Sequence, residues 1–234
     1  MINLKITFKY CLAFYCIAML YASLHELVHH FTGYFICGEW GYKTFNYFET
    51  ACEGTTESWY ATYAGPIFSF FFMYVGAYFI NKDSSMYKKH LGFALIFAQL
   101  PLQRMINPFF GMNDEYYATV KLYGNTTLNY WLVIIIIWLI CIYPLTKAYL
   151  AIENKNRLLW FLFYLVLLPY LLVGPFFLSL EYLMVEKKFL AQTFIGIGLL
   201  FIINEVITIA LYIQLKRYID PFYKNMEEIK NVPD

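Results

Sequence analysis

The chain has 234 residues, 61% of them hydrophobic and 14% charged, with a mean hydropathy of +0.52. That is more apolar surface than one soluble core of this length needs, so the composition points to an all-α polytopic membrane protein whose solvent is the lipid bilayer. A formal net charge of +1 with no basic stripe gives no argument for a nucleic-acid partner, and none is expected.

A spanning helix takes about 20 mainly apolar residues. The first such run, 8 to 31, follows Lys5 and Lys9 as in a signal peptide, but the cleavage site offered by "LYAS" around Ala22 is poor, so removal is not expected. The run ends in "SLHELVHHFTG", which holds three of the four histidines and a glutamate. His25 and His29 lie four apart, so on a helix both imidazoles project from one face and can hold one zinc ion. Glu26, one step round, can reach the water on that zinc. The spacing is HExxH, in which the metal lowers the pKa of its water toward about 7 and the glutamate takes the proton. An ionisable residue inside a bilayer helix costs roughly 3 kcal/mol, so the cluster reads as a functional site. The bland alternative is a solvated cluster at the water interface. His30, about 100° round from His29, is expected at the interface or beside the ligands rather than among them. "HxxxHH" also occurs in the histidine boxes of membrane di-iron desaturases, but those need many more histidines than the four present.

From Gly33 to Ser58 the chain is aromatic and partly alternating, which predicts a small β-hairpin or re-entrant loop after helix one. An outer loop resting its aromatics among the headgroups is the alternative. Cys37 and Cys52 share this segment and either pair, if it faces an oxidising compartment, or remain free thiols. The second run, 59 to 80, places Ala61, Gly65 and Ser69 at four-residue intervals. This small face permits close approach to a neighbour, and Ala18 and Ala22 give the first helix a matching one. Whether Gly65 and Pro66 serve only packing or the chemistry directly stays open.

The third run, 91 to 107, is short and ends at "NPFFGMND", where a broken element is expected before a helix resumes at "DEYYATVKLYG". A catalytic zinc usually keeps three protein ligands and an open position. Candidates for the third are Asp114, Glu115, Glu181 and the loop glutamates 39, 49, 53 and 57. Asp114 is best placed, although it or Asn113 could instead cap the next helix. Arg104 is expected to pair with Glu181 or to reach the surface. Runs at 130 to 150, 158 to 180 and 190 to 215 complete about six transmembrane helices, and Glu205, inside the last, must face protein.

With the N-terminus inside, twelve of the 17 lysines and arginines fall on the inner side. Both termini are therefore expected to be cytoplasmic and the histidines to lie toward the outer face, in a bacterial cytoplasmic membrane.

Three features in order, "HELVH", "YAGPIFSF" and "INPFFGMND", resemble the site-2 protease family of intramembrane zinc metalloproteases. That family shows HExxH, then Gly-Pro, then an Asn and Pro segment running into Asp-Gly. The resemblance implies His25, His29 and Asp114 as the metal ligands, Glu26 as general base and Asn107 as the asparagine that helps bind substrate or stabilise the oxyanion. Two positions depart from the pattern: Glu115 stands where the family has glycine, and Asn107 is one residue closer to the aspartate. The similarity covers about residues 15 to 122. It divides the chain into a catalytic membrane core, 1–122, and three additional transmembrane helices with a cytoplasmic C-terminal tail, 123–234. The implied activity is zinc-dependent hydrolysis of a peptide bond in or near a transmembrane segment of a membrane protein or peptide. In that family the segment after the first helix can pair with an extended substrate. A membrane metal carrier or sensor using the same ligands, or a catalytically silent relative acting as a membrane interaction protein, are the alternatives. A glutamate directly after His25 favours the hydrolase. No GxSG motif accompanies the histidines, which argues against a serine intramembrane protease.

Overall fold

The structure, a computed structural model, describes residues 1–223; Lys224, Lys230 and the remainder of the expected cytoplasmic tail lie outside the described residues. The chain is mainly helical with one small sheet. Among the described residues, four helices are long and apolar enough to cross a membrane: α1 (Phe8–Cys37), α6 (Thr127–Ala151), a continuous helix over Arg157–Val185, and one over Leu199–Ile219. The third of these comprises α7 (Arg157–Leu162), a π turn at Phe163–Leu167 and α8 (Leu168–Val185). The fourth is α9 (Leu199–Leu215) with a closing 3-10 turn.

The remaining apolar runs take other forms. α2 (Ser58–Phe79) has 22 residues, but its tyrosines, glycines and serines dilute its hydropathy. The third run divides into α3 (Met86–Ala98), α4 (Pro101–Ile106) and a 3-10 turn at Asn107–Phe110. It breaks earlier than expected. Leu100 takes a left-handed backbone, φ 52°, and Pro101 brings no N–H to continue the ladder. The chain then resumes as α5 (Asp114–Tyr123).

Local chemistry sets the ends of α1. The Thr7 hydroxyl accepts from the Tyr10 N–H at 3.1 Å, and Gly38, at φ 78°, closes the helix in the left-handed conformation. α2 and α3 meet where neither has a side chain: a methyl group on Gly76 would sit 2.6 Å from the Gly92 carbonyl oxygen. Below this contact Tyr10, Phe14, Phe93, Phe97 and Tyr164 pack ring against ring in the buried core.

The sheet joins the two halves of the chain. Strand β1 (Tyr42–Lys43) pairs antiparallel with β2 (Phe48–Glu49) and parallel with β4 (Ile197–Gly198), which pairs antiparallel with β3 (Thr193–Phe194). Residues 193–198, expected to be helical, are therefore strand and turn, and the last helix starts at Leu199. Gly196, at φ 76°, passes so close to Gly41 that a side chain there would collide with the Gly41 carbonyl. Cys37, the last residue of α1, forms a disulfide with Cys52 in the loop that carries β1 and β2.

Gly92→Ala is expected to lower stability by about 1–3 kcal/mol through overpacking of the α2–α3 contact. A reduced unfolding midpoint of the detergent-purified protein would show it; an unchanged midpoint would mean that the two helices separate without cost.

Candidate metal centre

His25 and His29 are buried on the face of α1 that meets α2. Their rings can lie there because Gly65 opposes them: a methyl group on Gly65 would collide with the His29 Nε2 and stand 2.6 Å from the His25 Cε1. One turn before Gly65, the Ala61 carbonyl accepts from the His29 Nδ1 at 2.8 Å. One turn after it, the Ser69 hydroxyl pairs with the His25 Nδ1 at 3.1 Å. The small face of α2 thus engages both imidazoles directly through their Nδ1 atoms, which orients each ring and turns both Nε2 atoms toward one point.

Asp114 arrives from the other side. Positive φ angles at Gly111 (68°) and Asn113 (86°) turn the chain sharply into α5, and the Asn113 amide donates to the Arg104 carbonyl at 3.2 Å. The Asp114 Oδ2 then stands 3.1 Å from the His25 Nε2 and 3.4 Å from the His29 Nε2, while the two Nε2 atoms are 3.1 Å apart. A tetrahedral zinc with bonds of about 2.0–2.1 Å separates its ligand atoms by about 3.4 Å. The three donors match that spacing and its chemistry, two imidazoles and a carboxylate, so this is a possible metal-binding triad. Burial pushes the Asp114 carboxyl up, but hydrogen bonds from His25 and His29 outweigh it and hold the group well below the usual carboxylate range.

Two cavities of about 520 and 330 Å³ meet at Glu26, Asn46, Asn113 and Asp114. The larger extends past Arg104 and Asn107 to the flank of α8, and the smaller runs along β2 beside Trp59 and Tyr117. Glu26 thus sits beside the triad and open to both. Asn107, first residue of the 3-10 turn, lines the larger cavity and is not among the three donors.

Other expectations need correction. Arg104 pairs not with Glu181 but with Glu115, at 3.2 Å, and its Nη2 lies 3.0 Å from both the Ser69 Oγ and the His25 Nδ1. The reason is the break after α3, which returns Arg104 against α5. Glu115, one of the alternative third ligands, turns one carboxylate oxygen to Arg104 and does not join the triad. Glu181 is occupied elsewhere: it accepts from the Thr44 hydroxyl at 2.8 Å and the Phe45 N–H at 2.9 Å, anchoring the β1–β2 loop to α8. His30 donates from its Nε2 to the Ile195 carbonyl at 2.8 Å and stacks on Trp40, so it ties α1 to the β3–β4 turn. None of the loop glutamates joins the triad.

Two residues escaped sequence reasoning. Phe48 lies flat on His29, ring centroids 4.3 Å apart and planes 6° from parallel. Lys43 is fully buried, with its Nζ donating to the Thr44 carbonyl at 2.8 Å and 3.5 Å from the Phe201 ring centroid. Burial pushes its amine down to about 7, countered by the charges of Glu26, Glu205 and Glu181. Only the alternation around β1 could have hinted at either.

No protein-family model matches the chain, and neither a curated protein nor a solved structure matches it.

Gly65→Ala forces a methyl group into both imidazoles and is expected to abolish stoichiometric metal binding, read by elemental analysis of the purified protein. Gly174→Ala, where an added methyl group meets nothing within 4 Å, is the control and retains the metal. Full metal content in Gly65→Ala would show that the rings do not depend on this opening.

Proposed function

We propose that the protein is a site-2 protease-like zinc metalloendopeptidase that cuts a membrane protein or peptide in or near its transmembrane segment. The observation that carries this reading is the convergence of the His25 Nε2, His29 Nε2 and Asp114 Oδ2 beside Glu26, at the point where two cavities meet. Zinc held by these three donors would supply Lewis acidity, polarising the scissile carbonyl and acidifying the attacking water. Glu26 takes a proton from that water and passes it to the amine nitrogen as the C–N bond breaks. The Asn107 amide, in the wall of the larger cavity, donates to the carbonyl oxygen as it gains charge.

A helical substrate hides its scissile bond behind its own hydrogen bonds and must unwind before attack. An unwound backbone at membrane depth needs new partners. β2 is an edge strand of the sheet, and its residues line the smaller cavity, so its free edge suits main-chain pairing with an extended substrate. We count α2 and the α3–α4 pair as membrane-embedded elements beside the four long helices, which makes six. Both termini are cytoplasmic in this reading, with the site toward the outer face of a bacterial cytoplasmic membrane. The bias of lysine and arginine supports that orientation. So does the Cys37–Cys52 disulfide at the same end as the site, since disulfides persist in oxidising compartments.

Glu26→Gln is expected to retain bound zinc and to lower cleavage of a single-span reporter about 10²–10⁴-fold. A metal carrier or sensor would keep its metal-dependent output in this variant, and a silent relative would show no cleavage even as wild type.

A further inference from the structure

Two buried hydrogen-bond donors, on residues that line the larger cavity, have no acceptor. Gln99, the residue that caps α3 before the break, is 3% exposed, and its Nε2 pairs with nothing. The Nε of Arg104, five residues on, is likewise buried and unpaired, although the other two nitrogens of that guanidinium are engaged. Both side chains line the cavity beside Glu26 and Asp114. Buried N–H groups without a partner are rare in folded proteins, and a ligand that brings the missing acceptors is one recognised reason for them.

The surroundings restrict what the acceptor can be. Glu26, Asp114 and Glu115 place three carboxylates around Arg104 and offset its charge, so the guanidinium offers little net attraction to an anionic ligand. The wall contributed by α8 is mainly apolar, with Pro169, Val173 and Phe177, and its one polar side chain, Tyr170, brings no charge to pair with a charged ligand. Peptide carbonyl oxygens are neutral, are strong acceptors, and lose their own partners when a helix unwinds.

We propose that Gln99 and Arg104 form a substrate-binding subsite in which the Gln99 amide and the Arg104 Nε–H donate to main-chain carbonyls of the unwound substrate. The subsite lies on the α8 side of the triad, and β2 receives the chain on the other. The left-handed backbone at Leu100 and the proline that follows break the helix directly after Gln99, so this side chain sits at the end of α3 rather than against a continuing turn. This inference rests on the peptidase reading and specifies how the enzyme would hold a substrate of any sequence.

The test uses the full-length, zinc-loaded protein in detergent and two probes, with calorimetric binding as the readout. Acetohydroxamate reports the metal alone; a leucyl-leucyl hydroxamate adds backbone carbonyls. Gln99→Leu is expected to weaken the peptidyl probe about fivefold to tenfold, the loss of one hydrogen bond, and to leave acetohydroxamate affinity and zinc content unchanged. Equal affinity of wild type and variant for the peptidyl probe overturns the subsite while leaving the peptidase reading intact. If neither probe binds wild type, the peptidase reading itself fails. Should Gln99→Leu not fold, Gln99→Met takes its place. A third probe, with one carbonyl reduced to methylene, needs no variant: wild type should bind it about fivefold to tenfold more weakly than its parent, and equal binding rejects the subsite.

Discussion

Two imidazoles, a carbonyl and a hydroxyl can share one buried cluster only where the two helices that carry them approach without a side chain between them. Gly65 provides that opening, and the rest of the site follows from it. With the rings of His25 and His29 seated over Gly65, the Ala61 carbonyl and the Ser69 hydroxyl fall one turn to either side and take the Nδ1 atoms. Both Nε2 atoms then face the same point, and Asp114 completes the set. In a low-dielectric setting unpaired polar groups are expensive, so this interlocking of acceptors and donors is also what makes a histidine pair tolerable inside a membrane helix.

The second half of the chain holds the site together from outside. Glu181 fixes the loop between β1 and β2, Ile195 receives His30, and Glu205 accepts from the Ser23 hydroxyl at 2.6 Å, two residues before His25. β4 pairs with β1, so the strand that bears Lys43 is shared between halves. α8 also supplies one wall of the larger cavity. The helices after residue 123, which carry no motif, therefore shape the space around the triad, and a metal-binding core limited to 1–122 would lack one side of that cavity.

What the sequence disclosed depended on the range of the interaction. The i, i+4 spacing of His25 and His29, with Glu26 between, is a property of one helical turn and is visible in five letters. The Ala61, Gly65 and Ser69 stripe was equally visible, but its engagement with ring nitrogens was not, since packing and ligand orientation require the same small residues. Asp114 stood out through the Pro108 and Gly111 break, yet remained one of several acids until the fold separated it from Glu115 and Glu181. Arg104 pairs with Glu115 rather than Glu181 across the turn at Gly111 and Asn113, and the break at Leu100 that starts its own helix is not announced by an ordinary leucine. The pairing of β1 with β4 spans more than 150 residues through two-residue strands, too short to leave a periodic pattern.

In the proposed site, two imidazoles and one carboxylate hold a single zinc ion. X-ray absorption at the zinc edge of the detergent-purified protein tests it most directly. About one zinc per chain is expected, with histidine-type outer-shell scattering from two imidazoles and nitrogen or oxygen ligands at about 2.0–2.2 Å. Absence of zinc above background, or a spectrum dominated by sulfur ligands at about 2.3 Å, would contradict it.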